Sequence, residues 1–164
     1  MDSSRHEIIL RVARPDEEQA AEAVWEAAAV RLRTIYRPNA RAQRMRATND
    51  AIWQRVVAVR DERIAGTLRF RAAADTCHII ALAVHPEFQR QGLARRLVGF
   101  VIDQAHREGQ RIVSLYTVLE TGNVPIFERL GFRAVSQEID QYSESDLFPT
   151  LTAVRLEYSL VSGR

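Results

Sequence analysis

The sequence contains no lysine. All 23 of its basic residues are arginine, set against 21 acidic ones. That excludes chemistry built on a Schiff-base amine or a tunable ammonium, and it keeps every basic side chain charged at working pH. Cysteine is almost absent too. Cys77 stands alone, so neither an internal disulfide nor a multi-cysteine zinc site can form, and no metal is expected. No apolar run approaches the about 18 residues a membrane span needs. Residues 1–5 are polar and lack the apolar stretch of a secretory signal. The expectation is a cytoplasmic protein with no membrane partner. The formal net charge is only +2, too balanced for a nucleic-acid binder. Two phosphate-loop patterns, G-x-x-x-x-G-K-[ST] and G-x-G-x-x-G, are also missing.

What is present suffices for one domain, spanning residues 1–164, with a real core: 46% of the residues are hydrophobic. No repeat or low-complexity segment appears. Residues 6–13 read as a first strand, closed by Arg14-Pro15-Asp16. Asp16 is placed to cap a helix running to about Ile35, with Glu17 and Glu18 favourable in its first turn. Val24, Ala27, Ala28 and Leu32 form its apolar side. From Tyr36 to about Ala51 the signal weakens. Pro38 breaks the pattern there, and Arg37, Arg41, Arg44 and Arg46 make it polar.

Residues 53–59 and 64–70 read as a hairpin turning at Asp61-Glu62. Residues 76–84 form a further strand. Residues 92–107 form a helix with Leu93, Leu97, Phe100 and Val101 as its stripe, ended by Glu108-Gly109. A strand follows over 111–118, then a short helix over 123–130 ended by Gly131. The last strands are 132–142 and 150–160. This order predicts an α/β (α+β) fold, a mixed sheet with helices packed on it.

The most informative stretch is ALAVHPEFQRQGLARRLVGF, residues 81–100. A buried strand there meets an amphipathic helix through a polar corner, Q-x-x-G-x-A from Gln89 to Ala94. The first turn of a helix leaves backbone N–H groups unpaired and carries the positive end of the dipole, which together favour an anion. Gly92 admits a ligand close to the backbone, and Ala94 keeps the next position small. Arg90, Arg95 and Arg96 can add charge-assisted contacts.

Together with NVPIFERLGF at 123–132, this block resembles the GNAT superfamily of acetyl-CoA-dependent N-acetyltransferases. The resemblance covers nearly the whole chain. It implies a mostly antiparallel sheet, splayed where acetyl-CoA lies. It implies that Gln89, Gly92 and Ala94, with backbone donors from about Gln91 through Leu93 to Arg95, hold the pyrophosphate. It also implies that Leu82, Ala83 and Val84 offer backbone groups to the pantetheine arm, and that Asn123, Ile126 and Phe127 line the thiol end.

The reaction so implied is attack of a primary amine on a thioester, which needs a base and hydrogen-bond donors for the oxyanion, and often an acid for the thiolate. His78 is the candidate base. Strand alternation places it on one face with Ile80, Leu82 and Val84. Locally, CHIIALAVHPEFQRQG resembles the arylalkylamine branch, which has a histidine at this offset; that branch's second histidine is replaced here by Ile80. An ordinary pKa near about 6.5 suits a base at neutral pH. Many family members carry tyrosine where this chain has Phe127, which cannot donate a proton. Tyr116 is the substitute acid, and Glu120 an alternate base.

The missing phenol keeps a second reading open, a non-catalytic module that binds or senses acyl-CoA. His85 should face away from the site, His106 complement its helix dipole, and His6 lies near the terminus. Cys77 faces opposite His78, which disfavours a Cys-His pair. The resemblance places one wall of the acceptor site at about 32–53, with Arg31, Arg33, Tyr36, Arg41 and Arg44. The loop 142–148 would form the other, where Glu144 and Asp146 can attract a cationic amine. The acceptor is then a small-molecule or peptide amine. Homodimers through the terminal strand 150–160 are a further implication.

Overall fold

The computed structural model describes residues 7–48 and 52–161; His6 lies outside them. Strand β1 (Ile8–Val12) leads through a 3-10 turn at Pro15–Glu17 into helix α1 (Glu18–Arg33). Asp16 does not cap this entry. Glu17 holds it instead, accepting the Arg14 N–H at 3.4 Å and two guanidinium bonds from Arg11 at 2.7 and 2.9 Å. The buried positions of α1 are Ala21, Val24 and Ala29, so Ala27 and Ala28 are not its core.

The weak segment resolves into a short strand, β2 (Arg37–Pro38), and a helix, α2 (Ala40–Thr48). Asn39 Oδ1 accepts the Ala42 N–H at 3.0 Å, an N-cap placed just past the proline. Helix α2 buries no residue, which is why the sequence shows no apolar period there.

The remaining elements are β3 (Gln54–Arg60), β4 (Arg63–Ala73), β5 (Thr76–Val84), α3 (Leu93–Arg107), β6 (Ile112–Val118), α4 (Val124–Arg129), β7 (Arg133–Ile139), β8 (Ser143–Glu144) and β9 (Thr152–Ser159). Seven strands form one sheet in the order β1-β3-β4-β5-β6-β9-β7, while β2 pairs with β8 separately. All the pairings are antiparallel except β5 with β6.

Alternation along β4 sorts the two layers. A Cβ built on Gly66 would sit 3.0 Å from Leu97 of α3. Thr67 points the other way, to α1. There Arg55 donates to Thr67 Oγ1 at 3.1 Å, to Glu18 at 2.9 Å and to Glu22 at 3.1 Å. The α3 layer holds the main core, in which Leu68, Phe70, Cys77, Ile79, Leu97, Val101, Val113 and Leu156 are buried together.

One irregularity changes which residues face which layer. Thr67 pairs with Ala83, but Arg69 pairs with Ile80. Leu68 therefore opposes both Ala81 and Leu82, and Ala81 takes a left-handed φ of 54°. This β-bulge reverses the alternation of β5. His78, Ile80, Leu82 and Val84 do not share a face, as plain alternation predicts. Leu82 and Val84 join Cys77 and Ile79 against the core, while His78 and Ile80 lie on the α1 side.

Strand β9 is paired on both edges, by β6 and β7. The edge of the sheet on that side is therefore β7 and not the terminal strand. Near it, Gly131 has φ 99°, and a Cβ there would come within 2.8 Å of the Tyr158 ring. Gly131→Ala combines left-handed strain with overpacking. The expected loss is about 2–4 kcal/mol, read as a lower urea midpoint at unchanged m.

Candidate active site

The corner after β5 is built as an anion site. Gln89 Nε2 donates to the Val84 carbonyl at 3.2 Å and ties the loop back to the strand. Arg90 and Gly92 take left-handed φ values of 64° and 78°, which turn the chain sharply into α3. No side chain caps that helix. Its first intrahelical bond is Arg96 N–H to the Gly92 carbonyl at 3.1 Å, so the amides of Leu93, Ala94 and Arg95 precede the ladder. A Cβ on Gly92 would meet nothing within 4 Å, so the space before these donors is open. The Leu93 side chain is in the core, so only its amide is available. Arg96 donates to the Ile8 carbonyl at 3.3 Å, and the Gln91 side chain meets Arg60. Arg90 and Arg95 stand exposed beside the loop.

Beside the corner the sheet parts. The parallel ladder of β5 and β6 has three rungs, Thr76–Ile112, Cys77–Val113 and His78–Ser114. Beyond them, β5 from Ile79 to Val84 has no strand on its β6 side. The side chains of Leu82, Ala83 and Val84 are packed or partly packed, so it is the open edge of the strand that faces the gap.

His78 occupies the last rung. Its Nδ1 lies 2.8 Å from Ser114 Oγ, and Ser114 is fully buried. Arg71 is its cross-strand partner on β4. Burial, then the positive charges of Arg71 and Arg155, hold the imidazole below its ordinary pKa of 6.5. Tyr116 follows Ser114 on the same face, opposite Arg155. At 59% exposure it does not pack in a core. Glu120 lies in the turn at Leu119–Thr121 that follows β6. Both of its carboxylate oxygens are taken by Thr152, from the backbone N–H and the hydroxyl, each at 3.0 Å.

Asn123 accepts the Ile126 N–H with its carbonyl at the start of α4, and Ile126 is 47% exposed. Phe127 packs edge-on against Phe132 with ring centres 6.2 Å apart. Cys77 is buried in the core with its thiol pKa pushed up to about 11, on the face opposite His78.

The two segments assigned to the acceptor walls do meet, through the β2–β8 pair. The acids of the second wall are not free, however. Arg37 binds Glu144 at 3.0 Å and Asp146 at 3.1 Å, so they clamp one wall to the other. Arg41 donates to Gln141 at 2.6 Å and lies over the Tyr142 ring. Burial and Asp140 raise the pKa of Tyr36, partly offset by Arg46. The sequence reading missed Ser114 and Arg71. A lone serine within the apolar run IVSLYTV was the available signal for the first. Arg71 needed the β4–β5 register.

The family model described as "Acetyltransferase (GNAT) family" matches residues 14–132. The chain belongs to this family. A curated relative, the ribosomal protein bS18-alanine N-acetyltransferase of Salmonella typhimurium, is 29% identical to this GNAT chain over 85 residues, 50% of the chain and 56% of the relative. The Escherichia coli enzyme of that name is 29% identical over 75 residues, 44% of the chain and 49% of the relative. The chain thus spans about half the length of the curated relatives it matches.

Solved structures show the same GNAT fold over nearly all of the chain. The ribosomal-protein-S18-alanine N-acetyltransferase from Escherichia coli superposes with a TM-score of 0.76 at 16% identity, covering 96% of this chain and 97% of its own. The Bacillus subtilis acetyltransferase in complex with CoA gives 0.70 at 15% identity, covering 94% and 100%.

Proposed function

We propose that the chain is an acetyl-CoA-dependent N-acetyltransferase acting on a primary amine, with His78 as general base. The observation that carries this is the position of the His78–Ser114 pair at the last rung before β5 and β6 part. The donor set fits acetyl-CoA: helix-start amides behind an open glycine suit a diphosphate, and an unpaired strand edge suits an amide-bearing arm. Arg90, the amides from Gln91 to Arg95 and the backbone of Leu82, Ala83 and Val84 would hold it, with Asn123, Ile126 and Phe127 about its thiol end. Acetyl-CoA bound there would offer its thioester carbonyl to the amine, so that the C–N bond forms as the C–S bond breaks and the thiol leaves.

The chain's own residues supply the proton chemistry. With the His78 Nδ1–H donating to Ser114 Oγ, Nε2 carries the free lone pair and takes a proton from the acceptor ammonium. The exposed Tyr116 hydroxyl is the proton donor in place of the phenol that Phe127 lacks. Glu120, committed to Thr152, acts as a brace for β9.

Release of free thiol from acetyl-CoA in the presence of amines, amino acids and peptides tests the proposal. Acceptor-dependent release is expected. Acetyl-CoA binding with no release for any acceptor would favour a binding or sensing module instead. The depressed pKa of His78 fixes the direction of the pH response. Neutral imidazole is the working form, so the limb of kcat/KM that belongs to His78 should lie below pH 6.5 and fall towards acid. Arg71→Gln removes one of the two cations that disfavour protonation, so it should move that limb to higher pH.

A further inference from the structure

Two guanidiniums on the His78 face stand without the acidic partners that several other arginines have. Arg11 is paired with Glu17, Arg37 with Glu144 and Asp146, Arg55 with Glu18 and Glu22, and Arg155 with Glu157 at 3.1 Å. Arg69 and Arg71 have no acidic partner among the described residues. The Nε atoms of both are buried without a hydrogen bond, as are those of Arg155 and, away from this face, Arg60. Arg71 is stacked on Trp53, 5.1 Å from the ring centre.

Arg69 and Arg71 are two residues apart on β4, so they project on one face. That is the face of His78, which pairs with Arg71. Arg55 and Arg46 add positive charge near Arg69, opposed in part by Glu22 and Glu18, which already bind Arg55. A guanidinium cannot shed its proton, so this face stays positive at every working pH. A half-buried donor pair with no acceptor is unfavourable until an anion joins it. The cofactor loop does not account for the pair. His78 and Val84 are six positions apart along β5, which puts the α3 corner roughly 20 Å away.

We propose that Arg69 and Arg71 bind an oxyanion carried by the acceptor, so that the preferred acceptors are primary amines bearing a carboxylate or phosphate group. Planar guanidinium forks match either group. Arg71 sets the anion beside His78 and so presents the amine of the same molecule to the base. The inference rests on the acetyltransferase reading, since it identifies this face as the acceptor side.

The test compares matched acceptors in the full chain: β-alanine with β-alaninamide, phenylalanine with phenylalaninamide, and O-phosphoethanolamine with ethanolamine. The wild type should favour the anionic member of a pair by about 10–100-fold in kcat/KM, as for charge-assisted hydrogen bonds. The carboxylate and phosphate pairs show which anion is preferred. Arg71→Gln and Arg69→Gln should each pull that ratio towards one. Turnover without preference for the anionic member, or a preference that survives both substitutions, would overturn the proposal.

A binding measurement separates its failure from that of the enzyme reading. Arginine Nε–H resonances are followed by NMR while sodium acetate or sodium phosphate is added against sodium chloride at equal ionic strength. Saturable shifts at Arg69 and Arg71 are expected. Such shifts with no turnover of any amine would keep the anion site and remove the acetyl transfer. No shifts and no turnover would overturn both.

Discussion

With His78 replaced by alanine, acetyl transfer is expected to slow by about 10²–10⁴-fold in kcat, the usual contribution of a positioned base. Acetyl-CoA affinity should hardly change, because the anion site at Gly92 and α3 lies at the far end of β5 from His78. Titration calorimetry and a thiol-release assay on the same preparation check both halves. A variant that keeps its rate within about threefold would remove His78 from the mechanism. Glu120, held by Thr152 through both oxygens, would then be the next candidate to replace. A fall in rate accompanied by loss of acetyl-CoA binding would instead point to a damaged fold.

The second large effect concerns stability. Arg55 is 5% exposed and joins β3 to both Glu18 and Glu22 of α1, while the Thr67 hydroxyl donates its own hydrogen bond to the Val56 carbonyl at 3.0 Å. Arg55→Ala removes three hydrogen bonds to one buried charge and leaves a void. The two carboxylates left behind are more than half exposed, so water can rehydrate them and their share is discounted. The expected destabilisation is about 2–4 kcal/mol, measured as a lower urea midpoint. Glu18→Gln, which leaves Glu22 in place, should stay within about 1 kcal/mol. Comparable losses in the two variants would show that the cost arises in the helix and not in the buried guanidinium.

The strand–corner–helix at 76–107 was legible because its signals are local. An apolar run, a glycine at a turn and a strong helical stripe each depend on near neighbours. Helix α2 was not legible, because no apolar period marks a helix with no buried face. Asn39 after Pro38 was the faint cue. The bulge at Ala81 was hidden for another reason. Alanine at left-handed φ is held there by the register against Leu68, which no local rule reports. That hidden step put Leu82 and Val84 on the wrong face. His78 and Tyr116 were picked out from the sequence, but the residues that define their surroundings come from other strands. Ser114 lies 36 positions from His78, and Arg71 meets it only through β4–β5 pairing. The pairing of Arg37 with Glu144 and Asp146 likewise joins distant segments. It turns two supposed amine attractors into a latch.

The three-rung ladder between β5 and β6 makes the sheet two plates joined along a short seam, β1-β3-β4-β5 on one side and β6-β9-β7 on the other. An extended ligand arm lying along the open edge of β5 would lengthen that seam in the currency of backbone hydrogen bonds. The ligand would then be a missing part of the architecture as well as a reactant. Its occupancy would set how tightly the two plates hold together, and the emptied protein would be the looser one. The less welded form would then be populated only between release of one ligand and arrival of the next, for a share of time that shrinks as the local supply of the donor rises.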